Sequence, residues 1–166
     1  MRRLWSESPV VAGRWTLREA VQGKPLRHPS HPLFVHFPAA LPIAAFAFDI
    51  ASRVHADLTL PRAALYNLAF ALGMTLPAAL TGLVDYLPMV PGSRKRRLGT
   101  YHLLCQVTAV ALFAASLALR LLDYDARQTP PAAVALLGLG CLAVVVGNYF
   151  GGTLVYRQGM RVSVDL

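Results

Sequence analysis

Charge is scarce in this chain. Asp, Glu, Lys and Arg make up only 14% of its 166 residues, against about a quarter in an ordinary soluble domain. Acidic residues are the scarcer kind, eight against sixteen Lys and Arg, which leaves a formal net charge of +8. A basic soluble chain would first suggest nucleic-acid binding. That class is excluded because the cations flank long apolar runs and do not line one exposed face. Cysteine is also scarce. Cys105 and Cys141 each sit inside an apolar run with no CxxC spacing, which argues against a zinc ribbon or a redox disulfide motif. Both are read as small packing residues. There is no phosphate loop, HExxH motif or nucleophile triad, so no enzymatic activity is expected. A cleavable signal peptide is not expected either. Arg2 and Arg3 look like a basic leader, but Leu4 to Arg18 has no uninterrupted apolar core. The first span is therefore expected to serve as an uncleaved anchor.

What the chain does have is apolar length. Hydrophobic residues are 55% of it and the mean hydropathy is +0.48. Four runs, at about 33–53, 62–87, 98–122 and 132–150, are each long enough to cross a hydrocarbon core of about 30 Å at 1.5 Å per residue. The expected fold is an all-α membrane protein, a four-helix bundle running up-down-up-down. Residues 1–30, broken by Pro9, Gly13, Gly23, Pro25 and Pro29, are expected as a polar tail, with a short interfacial helix near Trp15–Val21 as the alternative. Residues 31–159 form the transmembrane domain and 160–166 a C-terminal tail. Pro38 and Pro42 interrupt the first span, and Gly73, Pro77 and Gly82 the second. Gly147 and Gly151 form a small-xxx-small pair in the fourth. Asp49 and Arg53, four residues apart, are expected to pair on one helix face.

Cations give an orientation. Twelve of the sixteen Lys and Arg fall on the side shared by both termini and the second-to-third loop. The other four are Arg53, Arg62, Arg120 and Arg127. The positive-inside rule then puts both termini in the cytoplasm of a bacterial cell, with the bundle in its inner membrane.

Folding the runs up and down gathers unusual polar residues at that cytoplasmic end. His31 and His36 open the first helix, Asp85 and Tyr86 close the second, Tyr101 and His102 open the third, and Asn148, Gly151, Gly152 and Tyr156 close the fourth. The opposite end shows only His55 and ordinary flanking charges. His36 and His102 lie at matched depth, about 6 Å inside their helices. Two such imidazoles can ligate one metal or one haem iron axially. His31 is a further ligand candidate. Asp85, Gln106 and Tyr156 are candidates for supporting contacts. Arg94, Lys95, Arg96 and Arg97 stand just outside, placed for haem propionates or lipid headgroups. The bland alternatives are a histidine bonded to a carbonyl or headgroup, and an Asp85 that pairs with the Arg94–Arg97 run.

The segment His31-Pro32-Leu33-Phe34-Val35-His36-Phe37-Pro38 resembles the opening signature of an uncharacterised bacterial membrane family, domain of unknown function 2231. Gly82-Leu83-Val84-Asp85-Tyr86, the His102 that follows a basic loop, and Gly151-Gly152-Thr153-Leu154-Val155-Tyr156-Arg157-Gln158-Gly159 fit it in order. The resemblance implies a four-helix inner-membrane protein. Some relatives look as if they are joined to Rieske-type iron–sulfur domains, which points to electron transfer. With its two cysteines in separate helices, this chain has no such domain, so a redox role would need a separate partner. Two functions compete: a redox subunit with haem b on His36 and His102, or a scaffold or accessory subunit of a larger membrane complex without a cofactor. A transporter ranks below both, since no inverted repeat or mid-membrane charge pair is visible.

Overall fold

The computed structural model describes residue 5 and residues 7–162. Arg2 and Arg3, and the last four residues of the expected C-terminal tail, lie outside the described residues. Five α-helices follow one another: α1 (Leu17–Val21), α2 (His31–Ser52), α3 (Thr59–Tyr86), α4 (Arg94–Leu122) and α5 (Pro131–Tyr156), with a 3-10 turn at Lys24–Leu26. No strand forms among the described residues. Helices α2 to α5 are all long and apolar enough to cross a membrane. In hydrocarbon every backbone N–H and C=O must be satisfied within the segment, which is what continuous helices of this length provide.

The helix ends depart from the apolar runs where capping chemistry takes over. Helix α3 starts at Thr59 because Asp57 Oδ1 accepts from the Thr59 and Leu60 amides at 2.7 and 3.4 Å. The four-cation run is the first turn of α4, capped by Ser93, whose Oγ accepts from the Arg96 amide at 3.1 Å. Helix α5 continues through Gly151 and Gly152 to Tyr156. Pro38, Pro42 and Pro77 lie inside unbroken helices.

The N-terminal segment is structured. Thr16 and Glu19 form a reciprocal capping box at the start of α1, which satisfies two otherwise orphaned amides. Lys24 Nζ donates to Glu19 Oε1 at 2.5 Å. That ammonium, with the Thr16 amide, holds the Glu19 carboxyl down to about 2 from 4.5. Gln22, at the end of α1, is buried, and the Ser30 hydroxyl donates to the Val21 carbonyl.

Helix α2 packs along α3, and α4 along α5; the two hairpins touch each other much less. Small residues set the approach. A Cβ on Gly140 would overlap the Phe113 ring, and one on Gly138 would stand 3.0 Å from Phe46. The core consists of Ala45, Ala64, Leu68, Ala109, Phe113, Leu137 and Val144. It occupies only part of the bundle's length. Toward the finish of α2 and α4, the inward stripes are buried: Pro42, Ala45, Asp49 and Ser52 on α2, and Ala109, Phe113, Ser116 and Arg120 on α4. Toward their start the same stripes open. His31, Val35 and Pro38 on α2 and His102 and Gln106 on α4 are half-buried, and Asn148, one turn beyond buried Val144 on α5, is exposed. The hairpins thus bury these two stripes more fully toward one end than toward the other.

Candidate functional site between the hairpins

His31 is the first residue of α2, and its Nδ1 donates to the Ala78 carbonyl of α3 at 2.9 Å, with Thr81 Oγ1 at 3.3 Å. His102 is on α4, and its Nδ1 donates to the Gly147 carbonyl of α5 at 2.7 Å. Each histidine is therefore tied to the other helix of its own hairpin. A carbonyl only accepts, so Nδ1 carries the hydrogen and Nε2 of the neutral ring is the bare nitrogen. The two rings, from opposite hairpins, meet edge-on with centroids 6.5 Å apart and planes at 89°. Glycines make room for both. A Cβ on Gly82 would stand 2.8 Å from His31 Cε1, and one on Gly151 would stand 3.1 Å from His102 Cε1. The bland expectation, a histidine bonded to a carbonyl, describes one nitrogen of each ring and leaves the other unused.

His36 is not part of this pair. It lies five residues beyond His31, about 140° round the helix at 100° per residue, away from the stripe of Pro42, Ala45 and Asp49. It is exposed. The expectation that it pairs with His102 is replaced by His31 with His102, because matched depth does not set the helical phase. Tyr156 also stays outside, 89% exposed. Gln106 is one turn deeper than His102, and its Nε2 donates to Asn148 Oδ1 at 3.1 Å.

Asp85 is buried at the finish of α3 and does not pair with the Arg94–Arg97 run. Its Oδ1 accepts from Arg161 Nε at 2.9 Å, from Arg161 Nη2 at 2.5 Å and from Gln22 Nε2 at 3.2 Å. One carboxylate thus ties the N-terminal segment and the chain beyond α5 to the finish of α3. Arg96 has a different task. It lies over the Tyr86 ring at 3.7 Å and donates to the Tyr86 and Leu87 carbonyls at 2.9 and 3.3 Å, capping α3. Arg94 and Arg97 are exposed and Lys95 is half-buried.

The other end holds a polar cluster that sequence reasoning missed. Asp49 is fully buried and Arg120 is 3% exposed. Arg120 Nη1 and Nη2 grip the two carboxylate oxygens at 2.8 and 2.5 Å, and Thr129 Oγ1 donates to Oδ1 at 2.7 Å. Arg120 Nε donates to Ser116 Oγ at 3.3 Å. The expected Asp49–Arg53 pair does not form. Arg53 instead donates to the Thr129 carbonyl at 2.6 Å. The available signal was an arginine within an apolar run, which needs a partner inside the bundle.

Among the described residues no group of three or more His, Cys, Asp and Glu converges as a metal site would require. Two imidazoles are too few for a structural zinc, which takes four ligands, but they match the number of axial positions on a haem iron. The carbonyl-fixed tautomers leave one nitrogen of each ring as a possible donor to a group held by two histidines.

Fold and site together define a four-helix membrane protein with a histidine pair between its two hairpins. Its residues 27–164 match the model of the family described as "Predicted membrane protein (DUF2231)", and the chain belongs to that family. The matched span takes in His31, Asp85, His102 and Arg161. No curated protein and no solved structure matches the chain.

Proposed function

We propose that this protein is a redox subunit of the bacterial inner membrane in which His31 and His102 hold a haem b between the two hairpins. One observation carries the reading. The two imidazoles come from opposite hairpins, stand perpendicular at 6.5 Å and, among the described residues, have only Nδ1 engaged. Two imidazoles in line on one metal ion have ring centres about 6 Å apart, given a metal–nitrogen distance of about 2 Å. A carbonyl bond to the far nitrogen is the usual way a ligating histidine is fixed in orientation. Bound there, haem would supply one-electron chemistry. The protein residues would hold the ring, and Asp85 with Arg161 would close the rim above it.

The orientation belongs to the same reading. The charge bias supports an up-down-up-down bundle with both termini, and hence the histidine end, in the cytoplasm. Electrons would pass to a separate protein partner.

The test is an absorption spectrum of protein purified from haem-replete cells. A Soret band is expected, lost in His31→Ala and in His102→Ala and kept in His36→Ala. A colourless preparation would overturn the reading in favour of a cofactor-free scaffold. A band that survives His31→Ala would overturn the ligand assignment.

A further inference from the structure

The arginine that Asp49 leaves unpaired stands at the end of a groove. Asp49 is taken by Arg120, and among the described residues no ion pair takes in Arg53. Arg53 ends α2 and is exposed. Its Nη2 donates to the Thr129 carbonyl at 2.6 Å, two residues before α5 begins at Pro131. The guanidinium is thus held between two helices of different hairpins. A carbonyl fixes its place and leaves its charge without a counter-ion.

From this guanidinium an open groove of about 690 Å³ runs along α2 and α5, two helices in only light contact. Phe46 of α2 and Pro131, Val134, Gly138 and Leu139 of α5 line it, and every lining residue except Arg53 is apolar. Gly138 keeps its floor bare, since a Cβ there would stand 3.0 Å from the Phe46 ring. At 1.5 Å per residue the groove extends about 10 Å from Arg53 to Phe46 and about 12 Å from Pro131 to Leu139. Its volume falls within the range of about 300–1,000 Å³ usual for small-molecule sites. The polar end also takes in the start of α5, which no side chain caps. Such a helix start carries partial positive charge and favours an anion.

Shape and charge together define the occupant. An apolar trough along membrane helices suits an acyl chain, and a guanidinium beside an uncapped helix start suits one anionic head group. We propose that this groove binds an anionic phospholipid, with its phosphate on Arg53 and one acyl chain lying along Phe46, Val134 and Leu139. Arginine fits a phosphate because its planar fork presents several N–H donors at once. The lipid would touch both hairpins, since Arg53 and Phe46 belong to one and Val134 and Leu139 to the other. The site lies at the end of the bundle opposite the histidine pair and does not depend on the haem reading.

The experiment is native mass spectrometry of the purified full chain in detergent, titrated with palmitoyl-oleoyl-phosphatidylglycerol. Palmitoyl-oleoyl-phosphatidylcholine, with the same chains and no net charge, is the control lipid. Saturable retention of one phosphatidylglycerol is expected, about fivefold or more tighter than the control. Arg53→Gln should remove about fivefold of that preference, the scale of one basic residue at an anionic lipid surface. Ala135→Phe places a ring in the groove from an exposed position and should weaken retention of both lipids. Arg127→Gln removes an exposed cation elsewhere, with the same change in net charge, and should leave retention as it is. Helical circular dichroism checks that each variant folds. No saturable retention, equal retention of the two lipids by the parent, undiminished preference in Arg53→Gln, unchanged retention in Ala135→Phe, or an equal loss in Arg127→Gln would each overturn the proposal.

Discussion

Asp49→Ala tests the load on the closed end of the bundle. The carboxylate accepts two bonds from Arg120 and one from Thr129, in a site with 0% and 3% exposure for the two ions. Removing it strands a guanidinium among apolar helices, with only the Ser116 hydroxyl at 3.3 Å and a marginal Thr129 contact at 3.5 Å left. Breaking a buried pair from one side costs about 3–5 kcal/mol. Arg120→Met should cost a similar amount, because it leaves the carboxylate alone. The double variant Asp49→Ala, Arg120→Met removes both charges, and apolar replacements of a buried pair are often neutral or stabilising. It should therefore recover most of the loss. The assay is a reversible denaturation titration in mixed micelles for the parent, both single variants and the double variant, read as a mutant cycle. Single losses below about 1 kcal/mol, or a double variant as weak as the sum of the singles, would refute the argument that desolvated charge dominates here.

Gly82→Val should displace the His31 ring, since even a Cβ falls 2.8 Å from its Cε1; overpacking of this kind costs about 1–3 kcal/mol, and the same denaturation titration would measure it. Asp85→Ala should release Gln22 and Arg161 together, so limited trypsin digestion should cut faster at Arg14, Arg18 and Arg27, and unchanged cleavage would contradict the Asp85 contact. Glu19 has its carboxyl depressed to about 2 by Lys24 and the Thr16 amide. A depressed carboxyl stabilises the fold above its unfolded value and loses that contribution as pH falls through its folded value. The α1 turn should hold its amide protection at pH 5 and lose it progressively between about 4.5 and 2, as hydrogen-exchange protection factors would show.

The four long helices were legible because length and hydropathy alone set a membrane helix. Their ends were less so. Asp57 lets α3 begin at Thr59, ahead of the expected start, and Ser93 adds the Arg94–Arg97 run, which hydropathy assigns to a loop, to the start of α4. The choice of histidine was legible in principle. His31, Pro38, Pro42, Ala45, Asp49 and Ser52 recur at helical spacing, and His36 falls off that stripe. Depth was weighed in its place. The Asp49–Arg120 pair was not legible, because its partners lie 71 positions apart, and no local spacing reports which of two distant helices will face each other. Local spacing favoured Arg53 for the same carboxylate. The reach of Arg161 back to Asp85 was hidden for the same reason.

The division of the bundle into two hairpins bears on how it is made. Each hairpin carries its own close packing, and the link between them, from Leu87 to Ser93, is a short surface segment that includes Val90, Pro91 and Gly92. Each is thus a unit that can enter the membrane and settle as a pair before meeting the other. What then helps bring the halves into register is a fully buried polar match, the carboxylate of α2 against the guanidinium of α4. In an apolar medium that match acts as an address. A chain severed in the linker would present the same two surfaces, so the halves made as separate polypeptides would have the means to find each other.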